Sequence, residues 1–394
     1  MSKPDVFVVS AARTAIGTYG GTLKDVPMSE IAALVVREAL ARSGAPADSI
    51  GHVVMGNVIP TDVRDAYVSR VAAIEAGLPQ EVPAFNVNRL CGSGLQAIIS
   101  AAQSLLLGEA ELAIGGGVES MSRGPYIMPS ARWGARMGDV QAIDYMLGIL
   151  HDPFHRIHMG MTAENVAARD GITRQMQDEL ALESQRRATK AIAEGRFKEQ
   201  IVPVQVKTRK GVVAFDTDEH VRADASMEAL AKMKPAFKPD GSVTAGNASG
   251  LNDGAGAVVL ATGDAVKARG LKPLARLVSY AHAGVDPKIM GIGPVPASKL
   301  ALKRAGLTVG DLDVIESNEA FAAQACAVVR ALELDPAKVN PNGSGISLGH
   351  PVGATGAIIT TKALYELQRT QGRYALVTMC IGGGQGIAAI FERM

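Results

Sequence analysis

Cys91 is the side chain of this sequence that is best placed to act as a nucleophile. It lies in Asn88-Arg-Leu-Cys91-Gly-Ser-Gly, between an extended apolar stretch and a pattern of apolar residues spaced for one face of a helix. At a helix N-terminus, the macrodipole and unpaired backbone N–H groups lower the pKa of a thiol and favour the thiolate. The flanking glycines would let a substrate approach the backbone. The alternative is a buried, inert cysteine.

Two later segments supply groups that a nucleophilic cysteine needs. His350 lies in the glycine-rich stretch 342–356, just before a second helical pattern, and the glycines clear space for a ligand. Cys380 ends an apolar strand and is followed by Ile381-Gly-Gly-Gly384. Backbone N–H groups in such a turn form a nest suited to an oxyanion. A nucleophile, a base and a second thiol beside this nest predict acyl-thioester chemistry.

Alternating strand and helix patterns must position these residues. The predicted elements of the first part are strand 6–10, helix 29–42 with Ser29 as N-cap, strand 52–56, helix 64–75, an extended stretch 82–87 and strand 111–114, which ends at three glycines. Strands that alternate with helices indicate an α/β fold with a mostly parallel, covered sheet.

The second half of the chain repeats the first. Residues 39–44 are matched by 301–306, and Gly94 is matched by Gly356, both at an offset of 262 (301 − 39 and 356 − 94). A third match pairs 113–117 with 380–384 at an offset of 267 (380 − 113). The matches predict an internal duplication about a pseudo-twofold axis, which would bring Cys91 and Cys380 close together.

The pattern changes between the halves, over residues 121–249. A charged helical stretch is predicted for 173–195, followed by short β segments such as 201–206. From Glu183 to Lys238 there are 12 Lys and Arg residues against 8 Asp and Glu. Each charge alone is best explained by a solvated face, but as a group they could receive a phosphorylated ligand.

Composition limits the class of protein. With 394 residues, 47% hydrophobic and 20% charged, the chain is typical of a globular protein of two or three domains. A net charge of +1 gives no reason to expect nucleic acid or a membrane surface. Three cysteines do not make a disulfide framework, and no signal or membrane-spanning pattern is present, so a cytoplasmic location is expected.

Four motifs together resemble the signatures of the thiolases. They are Asn88-Arg-Leu-Cys91-Gly-Ser-Gly, Asn318-Glu-Ala-Phe321, Gly349-His350-Pro351 and Cys380-Ile-Gly-Gly-Gly384, in order and spacing. The resemblance covers essentially the whole chain, and residues 151–160 look closest to the broad-range β-ketothiolases of polyhydroxyalkanoate-making bacteria. It implies the thiolase fold, with two duplicated βαβαβ-type halves in a layered αβαβα arrangement. The implied halves are 1–120 (completed by 250–272) and 273–394, and 121–249 would be an inserted, CoA-binding loop domain.

The resemblance also implies an acyltransferase, either an acetyl-CoA acetyltransferase or a 3-ketoacyl-CoA thiolase. Coenzyme A would be substrate and product, and no bound cofactor or metal is expected. Cys91 would take the acyl group, and His350 would draw off its proton and later help to activate the CoA thiol. Cys380 would remove the α-proton of acetyl-CoA, or return it during thiolysis. The cycle would be ping-pong: acyl transfer to Cys91, then Claisen condensation, or the reverse.

Two oxyanion holes and a set of CoA contacts follow from the same resemblance. His350 and a water held by Asn318 would bind the enolate oxygen, whereas the N–H groups of Cys91 and Gly382 would bind the tetrahedral intermediate. Arg222 would lie near the adenine and phosphate end of CoA. The remaining implied contacts are Ser249 on the pantetheine arm and, around the pocket, His158, Met159, Phe237, Met290 and Phe321.

One position departs from the family pattern. Relatives can carry a serine near the adenine where this chain has Ala229, so that contact is not carried over. Thiolases are usually tetramers of tight dimers, and a homotetramer is implied here. The reaction is reversible and the same residues serve both directions, so the physiological direction stays open. We predict a short-chain enzyme that also accepts somewhat longer 3-ketoacyl-CoA.

Alternative interpretations of the motifs are less well supported. Residues 92–97 match a loose dinucleotide-binding pattern, but they do not lie in the first βαβ unit. His151, His155 and His158 lack the spacing of a metal site, because Pro153 breaks the helix that would align them.

Three alternative functions fit the sequence less well. A β-ketoacyl synthase shares the duplicated fold, but it typically has two histidines beside its cysteine, where this chain has Asn318 and Cys380. A non-catalytic acyl-CoA or lipid carrier would be expected to have lost some of the three reactive residues, all of which are present. A cysteine hydrolase would have no use for Cys380.

Overall fold

The computed structural model describes residues 4–394, so residues 1–3 of the predicted N-terminal half lie outside it. The strands are β1 (Val6–Arg13), β2 (Gly17–Thr18), β3 (Ile50–Gly56), β4 (Ala84–Val87), β5 (Leu112–Ser120), β6 (Tyr126–Ile127), β7 (Ile143–Asp144), β8 (Val204–Thr208), β9 (Gly211–Phe215), β10 (Asn252–Thr262), β11 (Ala275–Gly284), β12 (Val314–Ser317), β13 (Tyr374–Ile381) and β14 (Gln385–Arg393). The helices are α1 (Met28–Ser43), α2 (Val68–Glu75), α3 (Ser93–Leu106), α4 (Tyr145–Gly148), α5 (Met159–Asp170), α6 (Arg174–Ala193), α7 (Met227–Ala231), α8 (Gly263–Arg269), α9 (Pro294–Ala305), α10 (Ala322–Ala331), α11 (Gly345–Leu348) and α12 (Thr355–Thr370).

The main sheet is mixed. Its strand order is β12-β13-β14-β11-β1-β10-β5-β3-β4, and β2 pairs with β10. Among the described pairs, β3 is parallel to β4 and β5, and β12 is parallel to β13, while the remaining pairs are antiparallel. The prediction of a mostly parallel sheet is therefore wrong. No crossover helix precedes β14, which follows β13 through a short turn, so the chain can return antiparallel.

The duplication is visible in the sheet. The first half has the order β4-β3-β5-β10-β1 and the second has β12-β13-β14-β11, with a parallel bridge from Ile315 to Val339 where a counterpart of β4 would lie. Met55 pairs with Gly116, and Ser317 pairs with Thr378, so both strands keep the offset of 262 (317 − 55 and 378 − 116). The predicted match of 113–117 with 380–384, at an offset of 267, is wrong. The glycines at 115–117 lie inside β5, whereas those at 382–384 form the turn after β13.

Helices α3 and α12 cross at the centre of the molecule, between the two halves. A Cβ atom on Gly94 would lie 2.7 Å from the backbone nitrogen of Ala357, and one on Gly356 would overlap that of Leu95. These two equivalent glycines allow the helices to touch backbone to backbone. Around them, one apolar core joins α3 and α12 to strands of both halves, while α1 and α2 cover the first half and α9 covers the second. This is the layered arrangement that the resemblance implied.

Several predicted boundaries need correction. Helix α1 has Pro27 as its N-cap and no side-chain cap, and Ser29 is buried inside it. The predicted helix 64–75 is a 3₁₀ segment, Val63–Tyr67, followed by α2. Strand β5 continues through its three glycines because α3 and the loop before α12 pack directly against its backbone.

The insert packs on both halves: Phe197, Val204 and Phe215 join the apolar core of the first half, and two of its helices contact the second. The predicted charged helix is α6, with Thr173 as its N-cap, and α5 and α6 both contact α10. The β segment predicted for 201–206 begins later, at Val204. Before it, Ile201 makes only an isolated bridge to Arg13. The division into two halves and a loop domain stays a proposal. Within residues 4–394, no helix is long and apolar enough to cross a membrane.

Candidate active site

Loops from both halves and from the insert surround one cavity of about 290 Å³. Cys91, His350 and Gly382 line it. The implied substrate contacts that also line it are His158, Met159, Phe237, Ser249, Met290 and Phe321. Asn318 and Cys380 are buried beside these residues. The structure thus brings together all the residues predicted for this site except Arg222.

Cys91 lies in a tight loop just before α3. Leu90 adopts a left-handed conformation with φ of 46°, and its N–H donates to Asn88 Oδ1 at 2.9 Å. Ser93 Oγ accepts the N–H of Arg89 at 2.8 Å and donates to Leu90 O at 2.7 Å. These local hydrogen bonds hold the strained turn and fix the direction of the thiol.

The thiol of Cys91 is less acidic than the sequence suggested. Burial raises its pKa, and hydrogen bonds from the backbone N–H groups of Gly382 and of Cys91 itself offset only part of the effect. The prediction that the helix N-terminus makes this a ready thiolate is therefore wrong, because desolvation of the anion outweighs the effect of the backbone N–H groups. A neutral thiol needs a base to become a nucleophile.

His350 is the group that can act as this base. Its ring is 5% exposed, and burial lowers its pKa to about 4, so it is neutral at pH 7. Nδ1 lies 2.6 Å from Thr355 Oγ1, which itself donates to Pro351 O at 2.9 Å. Because the hydroxyl proton is used by Pro351, we assign the ring proton to Nδ1. The lone pair of Nε2 is then free to accept a proton.

Cys380 lies inside strand β13, one residue before its end, and is fully buried. Burial and the neighbouring Cys91 both raise its pKa, so the two thiols are close in space, as the duplication predicted. The turn that follows contains Gly383 and Gly384 with φ of 82° and 86°. This left-handed turn, which glycine adopts without strain, aims the N–H of Gly382 at Cys91.

Asn318 lies beside the His350 ring. Its Nδ2 is 3.5 Å from Nδ1 and 3.4 Å from Nε2, so both contacts with the ring are long and weak. Its backbone N–H donates to Thr378 O at 3.0 Å. The next residue, Glu319, accepts from Ser184 Oγ at 2.6 Å and from Asn340 Nδ2 at 2.9 Å. The amide of Asn318 is therefore held near the base with a proton left to donate.

Aromatic residues form one wall of the cavity. The rings of His158 and Phe237 are stacked at 4.7 Å, and Phe237 meets Phe321 edge to face at 6.2 Å. The N–H of Gly160 donates to His158 Nδ1 at 3.0 Å, and burial lowers the pKa of His158 to about 4. Nε2–H of His158 is therefore free to donate. The stack gives the cavity a flat apolar side.

The other two histidines of the insert have different surroundings. His151 packs edge to face against His158 at 5.2 Å, whereas His155 Nδ1 lies 2.9 Å from Asp152 Oδ2. Among the described residues there is no group of three or more His, Cys, Asp or Glu side chains placed to hold a metal ion.

Arg222 lies apart from the cavity. It is exposed and, with Arg186 and Lys190, lines a separate depression of about 260 Å³ on α6. Its backbone N–H donates to Gln185 Oε1 at 2.8 Å. Ala229 is exposed in the first turn of α7. The depression is basic, as the excess of Lys and Arg in this region predicted.

A further cavity, of about 350 Å³, lies between α6 and α10 and contains Cys326. Burial raises the pKa of Cys326 to about 11, and its sulfur faces Met176 O at 3.7 Å. None of the predicted catalytic residues lines this cavity. Cys326 thus packs as an apolar side chain.

Sequence reasoning missed three residues that hold the loop of His350. Thr355 could have been found, since it lies five residues after His350 at the start of the predicted helix. Asn252 accepts the His350 N–H at 2.9 Å, and Glu119 accepts the Gly353 N–H at 2.8 Å. Both are distant in sequence, and no local pattern marks them.

The duplicated fold and this site define an acyltransferase that uses a cysteine. The thiolase N-terminal domain model matches residues 6–264, and the thiolase C-terminal domain model matches residues 271–393. The beta-ketothiolase BktB of Cupriavidus necator is 70% identical over 391 residues, which is 99% of each chain. The chain belongs to the thiolase family.

Solved structures agree with this assignment. Human mitochondrial 3-ketoacyl-CoA thiolase superposes with a TM-score of 0.98 at 46% identity, covering 99% of both chains. A structure of the human enzyme in complex with CoA gives 0.96 at 45% identity, covering 99% of this chain and 98% of the other. The protein therefore catalyses the thiolase reaction. These relatives do not favour a β-ketoacyl synthase or a non-catalytic carrier.

Proposed function

We propose that this thiolase condenses acetyl-CoA with a short-chain acyl-CoA to a 3-ketoacyl-CoA, and cleaves it with CoA in reverse, through an acyl group on Cys91. One observation carries the proposal. The backbone N–H groups of Gly382 and of Cys91 act on the Cys91 thiol and lower its pKa, in a cavity that a buried, neutral His350 also lines. A nucleophile, a base and an oxyanion hole thus share one small space.

In the first half-reaction, Nε2 of His350 takes the thiol proton as the sulfur attacks the thioester carbonyl. Two neutral groups meet, so no charge has to be desolvated before the reaction starts. The oxygen of the tetrahedral intermediate then becomes negative and is held by the N–H groups of Cys91 and Gly382. The intermediate collapses to acyl-Cys91, and the CoA sulfur leaves with the proton from His350.

In the second half-reaction, Cys380 would pass its thiol proton to Nε2 of His350, and the resulting thiolate would remove an α-proton from acetyl-CoA. A thiolate at this position would be a strong base, because burial and Cys91 raise the pKa of its thiol. The enolate oxygen would be held by the Nε2–H that His350 gained from Cys380 and by a water on Asn318, whose own contacts with the ring are long. The α-carbon attacks acyl-Cys91, the bond from the carbonyl carbon to the Cys91 sulfur breaks as the new carbon–carbon bond forms, and the departing thiolate takes the proton back from Nε2 of His350.

The insert would bind CoA as the loop domain at 121–249. Ser249 and the wall of His158 and Phe237 line the way to Cys91 and would face the pantetheine arm. The basic depression of Arg222, Arg186 and Lys190 would face the phosphates. A CoA complex of the human relative supports CoA as the substrate. The homotetramer and the cytoplasmic location stay predictions.

We also infer a short-chain preference that extends to somewhat longer 3-ketoacyl-CoA. The cavity volume of about 290 Å³ must hold both the end of pantetheine and the acyl group. Apolar side chains beside Cys91, among them Leu90, Ile149 and Val352, can receive a few methylene groups. Comparing kcat/KM for 3-ketoacyl-CoA of increasing length tests this. A poor rate with acetoacetyl-CoA beside long-chain substrates would disprove it.

The experiment that tests the reaction follows the absorbance of acetoacetyl-CoA with and without free CoA. Wild type should consume it only when CoA is present, and Cys91→Ala should lose activity by about 10⁴-fold or more. Cys326→Ala is the matched control, because that thiol lies in another cavity. Consumption without CoA would indicate a hydrolase. Activity retained by Cys91→Ala would disprove the acyl-enzyme.

A further inference from the structure

Two buried side chains of the first half hold the loop that carries His350. Asn252 Oδ1 accepts the backbone N–H of His350 at 2.9 Å, and Glu119 accepts that of Gly353 at 2.8 Å. Both side chains are 0% exposed. They lie on neighbouring strands, since β5 and β10 pair Glu119 with Gly254. The loop from 350 to 353 is thus attached at both ends to one rigid piece of sheet.

Glu119 also fixes the floor of the cavity. Its Oε1 accepts from Asn57 Nδ2 at 2.9 Å and Ile59 N at 3.1 Å, and its Oε2 accepts from Val58 N at 3.1 Å in addition to Gly353. Val58 lines the cavity and packs in the same apolar cluster as Cys91. One carboxylate therefore ties the floor beside the nucleophile to the loop of the base.

The four donors argue for an ionised Glu119. Four N–H groups match the acceptor sites of a carboxylate, whereas a protonated acid would place a hydroxyl proton among donors. Burial raises its pKa to about 8, which favours the acid at pH 7, and Asp253 acts in the same direction, whereas the N–H groups of Ile59, Gly353 and Val58 oppose this. The geometry decides for the anion, because all four partners are donors and none could accept a hydroxyl proton. Cys91 is the other titratable group that faces it, and the charge of Glu119 raises the pKa of that thiol.

Asn252 holds the other end with little freedom. Its Nδ2 donates to Gly17 O at 3.0 Å, so both ends of the amide are used. A Cβ atom on Gly349 would lie 2.5 Å from this amide, which shows how closely the loop passes. These contacts fix the orientation of the Asn252 amide, and the amide in turn fixes the position of the His350 backbone N–H.

We propose that Glu119 and Asn252 are positioning residues that set the placement of His350 against Cys91. Neither lines the cavity, so each acts through the loop and not on the substrate. The proposal rests on the proposed role of His350 as base. An error of about 1 Å in such a placement can reduce a rate about 100-fold.

The test measures kcat and KM for acetoacetyl-CoA thiolysis, per folded enzyme, in Glu119→Gln, Glu119→Ala and Asn252→Ala. Glutamine turns two acceptor contacts into donor–donor clashes, so we expect kcat to fall about 10-fold. Alanine at either site should lower it about 100-fold. KM should stay within about twofold, because the proposed CoA contacts are elsewhere.

Glu164→Gln is the matched control. Glu164 is also a buried glutamate that accepts two backbone N–H groups, from Ser242 and Val243, both at 2.8 Å, but on the insert. Its kcat should stay within about twofold of wild type. If Glu119→Ala fails to fold, Glu119→Gln and Asn252→Ala still test the proposal.

Three results would overturn the proposal: a lower melting temperature with kcat unchanged, a rise in KM alone, or an equal loss of kcat in Glu164→Gln. His350→Ala, assayed beside them, separates this from the proposed function. If that variant keeps its kcat, the role of His350 as base is wrong, and the inference falls with it. If it is inactive and the positioning variants are not, the inference alone is wrong.

Discussion

The two halves share one scaffold but carry different chemistry. His350 occupies the position of Asn88 at the offset of 262 (350 − 88), so the base and the nucleophile lie on equivalent loops before α12 and α3. After β12, Asn318 takes the place of Gly56 (318 − 56), and in β13 Cys380 takes the place of Val118 (380 − 118).

The residues of the first half at these positions are structural. A Cβ atom on Gly56 would overlap the Ser93 backbone, so Gly56 lets strand β3 pack against the loop of Cys91. Val118 is fully buried in the core, and Asn88 accepts the Leu90 N–H. Thus one half holds the nucleophile, and the other supplies the groups that move protons. Duplication brought equivalent loops together, and divergence filled them with different side chains.

The largest expected effect compares His350 with its counterpart. His350→Ala should lower kcat about 10³-fold, because no other group described in the cavity can accept the thiol proton. Asn88→Ala should cost less than about 10-fold, since it removes only the hydrogen bond to Leu90. Initial rates of acetoacetyl-CoA thiolysis at saturation measure both. Equal losses would show that the two loops do not differ in chemistry.

The next prediction breaks the contact between the halves. In Gly356→Ala, the new methyl group meets the backbone of α3, which cannot move aside, so the free energy of unfolding should fall by about 3 kcal/mol. Gly148→Ala is the control, because a Cβ atom there has no heavy atom within 4 Å. Chemical denaturation at one protein concentration compares them. Similar stability of the two variants would contradict the central crossing.

A third prediction separates binding by the insert from chemistry by the halves. A Cβ atom on Gly160 would overlap the Phe237 ring, so Gly160→Ala should displace the aromatic wall. We expect KM for CoA to rise about 10-fold and kcat to change less. Gly310→Ala, where the nearest atom is 3.6 Å away, serves as the control. A fall in kcat with KM unchanged would place this wall in the chemical step.

The smallest effect concerns the two thiols. Because burial raises the pKa of Cys91, its thiolate fraction near pH 7 is below that of a free cysteine and grows as the pH rises. Alkylation by iodoacetamide, located by peptide mass, should therefore increase from about pH 6 to about pH 9 without a plateau near neutrality. Cys380, which is fully buried, should react at least about 10-fold more slowly. A plateau below pH 7 at Cys91 would indicate a thiolate–imidazolium pair instead.

Many helices and strands could be predicted because short stretches of the sequence determine them. Helix α3 was predicted from apolar spacing, α6 from a charged helical stretch, and the duplication from three matched motifs, two of which share the offset of 262. The directions of the strands could not be predicted, because they depend on which strands lie next to each other in the folded sheet. The three glycines of β5 were predicted to end the strand, but the strand continues through them. A glycine that ends a strand and a glycine that lets a helix pack against a strand look alike in sequence.

The sequence by itself determined the types of the reacting groups and the loops that carry them: a thiol before one helix, an imidazole before its duplicate, and a second thiol before a glycine turn. Only the tertiary structure decided their protonation states. The helix dipole acts along the chain, but desolvation depends on what packs around a group, and here it leaves Cys91 a thiol and His350 a neutral base. The hydrogen bonds from Glu119 and Asn252 to the His350 loop likewise exist only once two strands of the folded sheet lie beneath it.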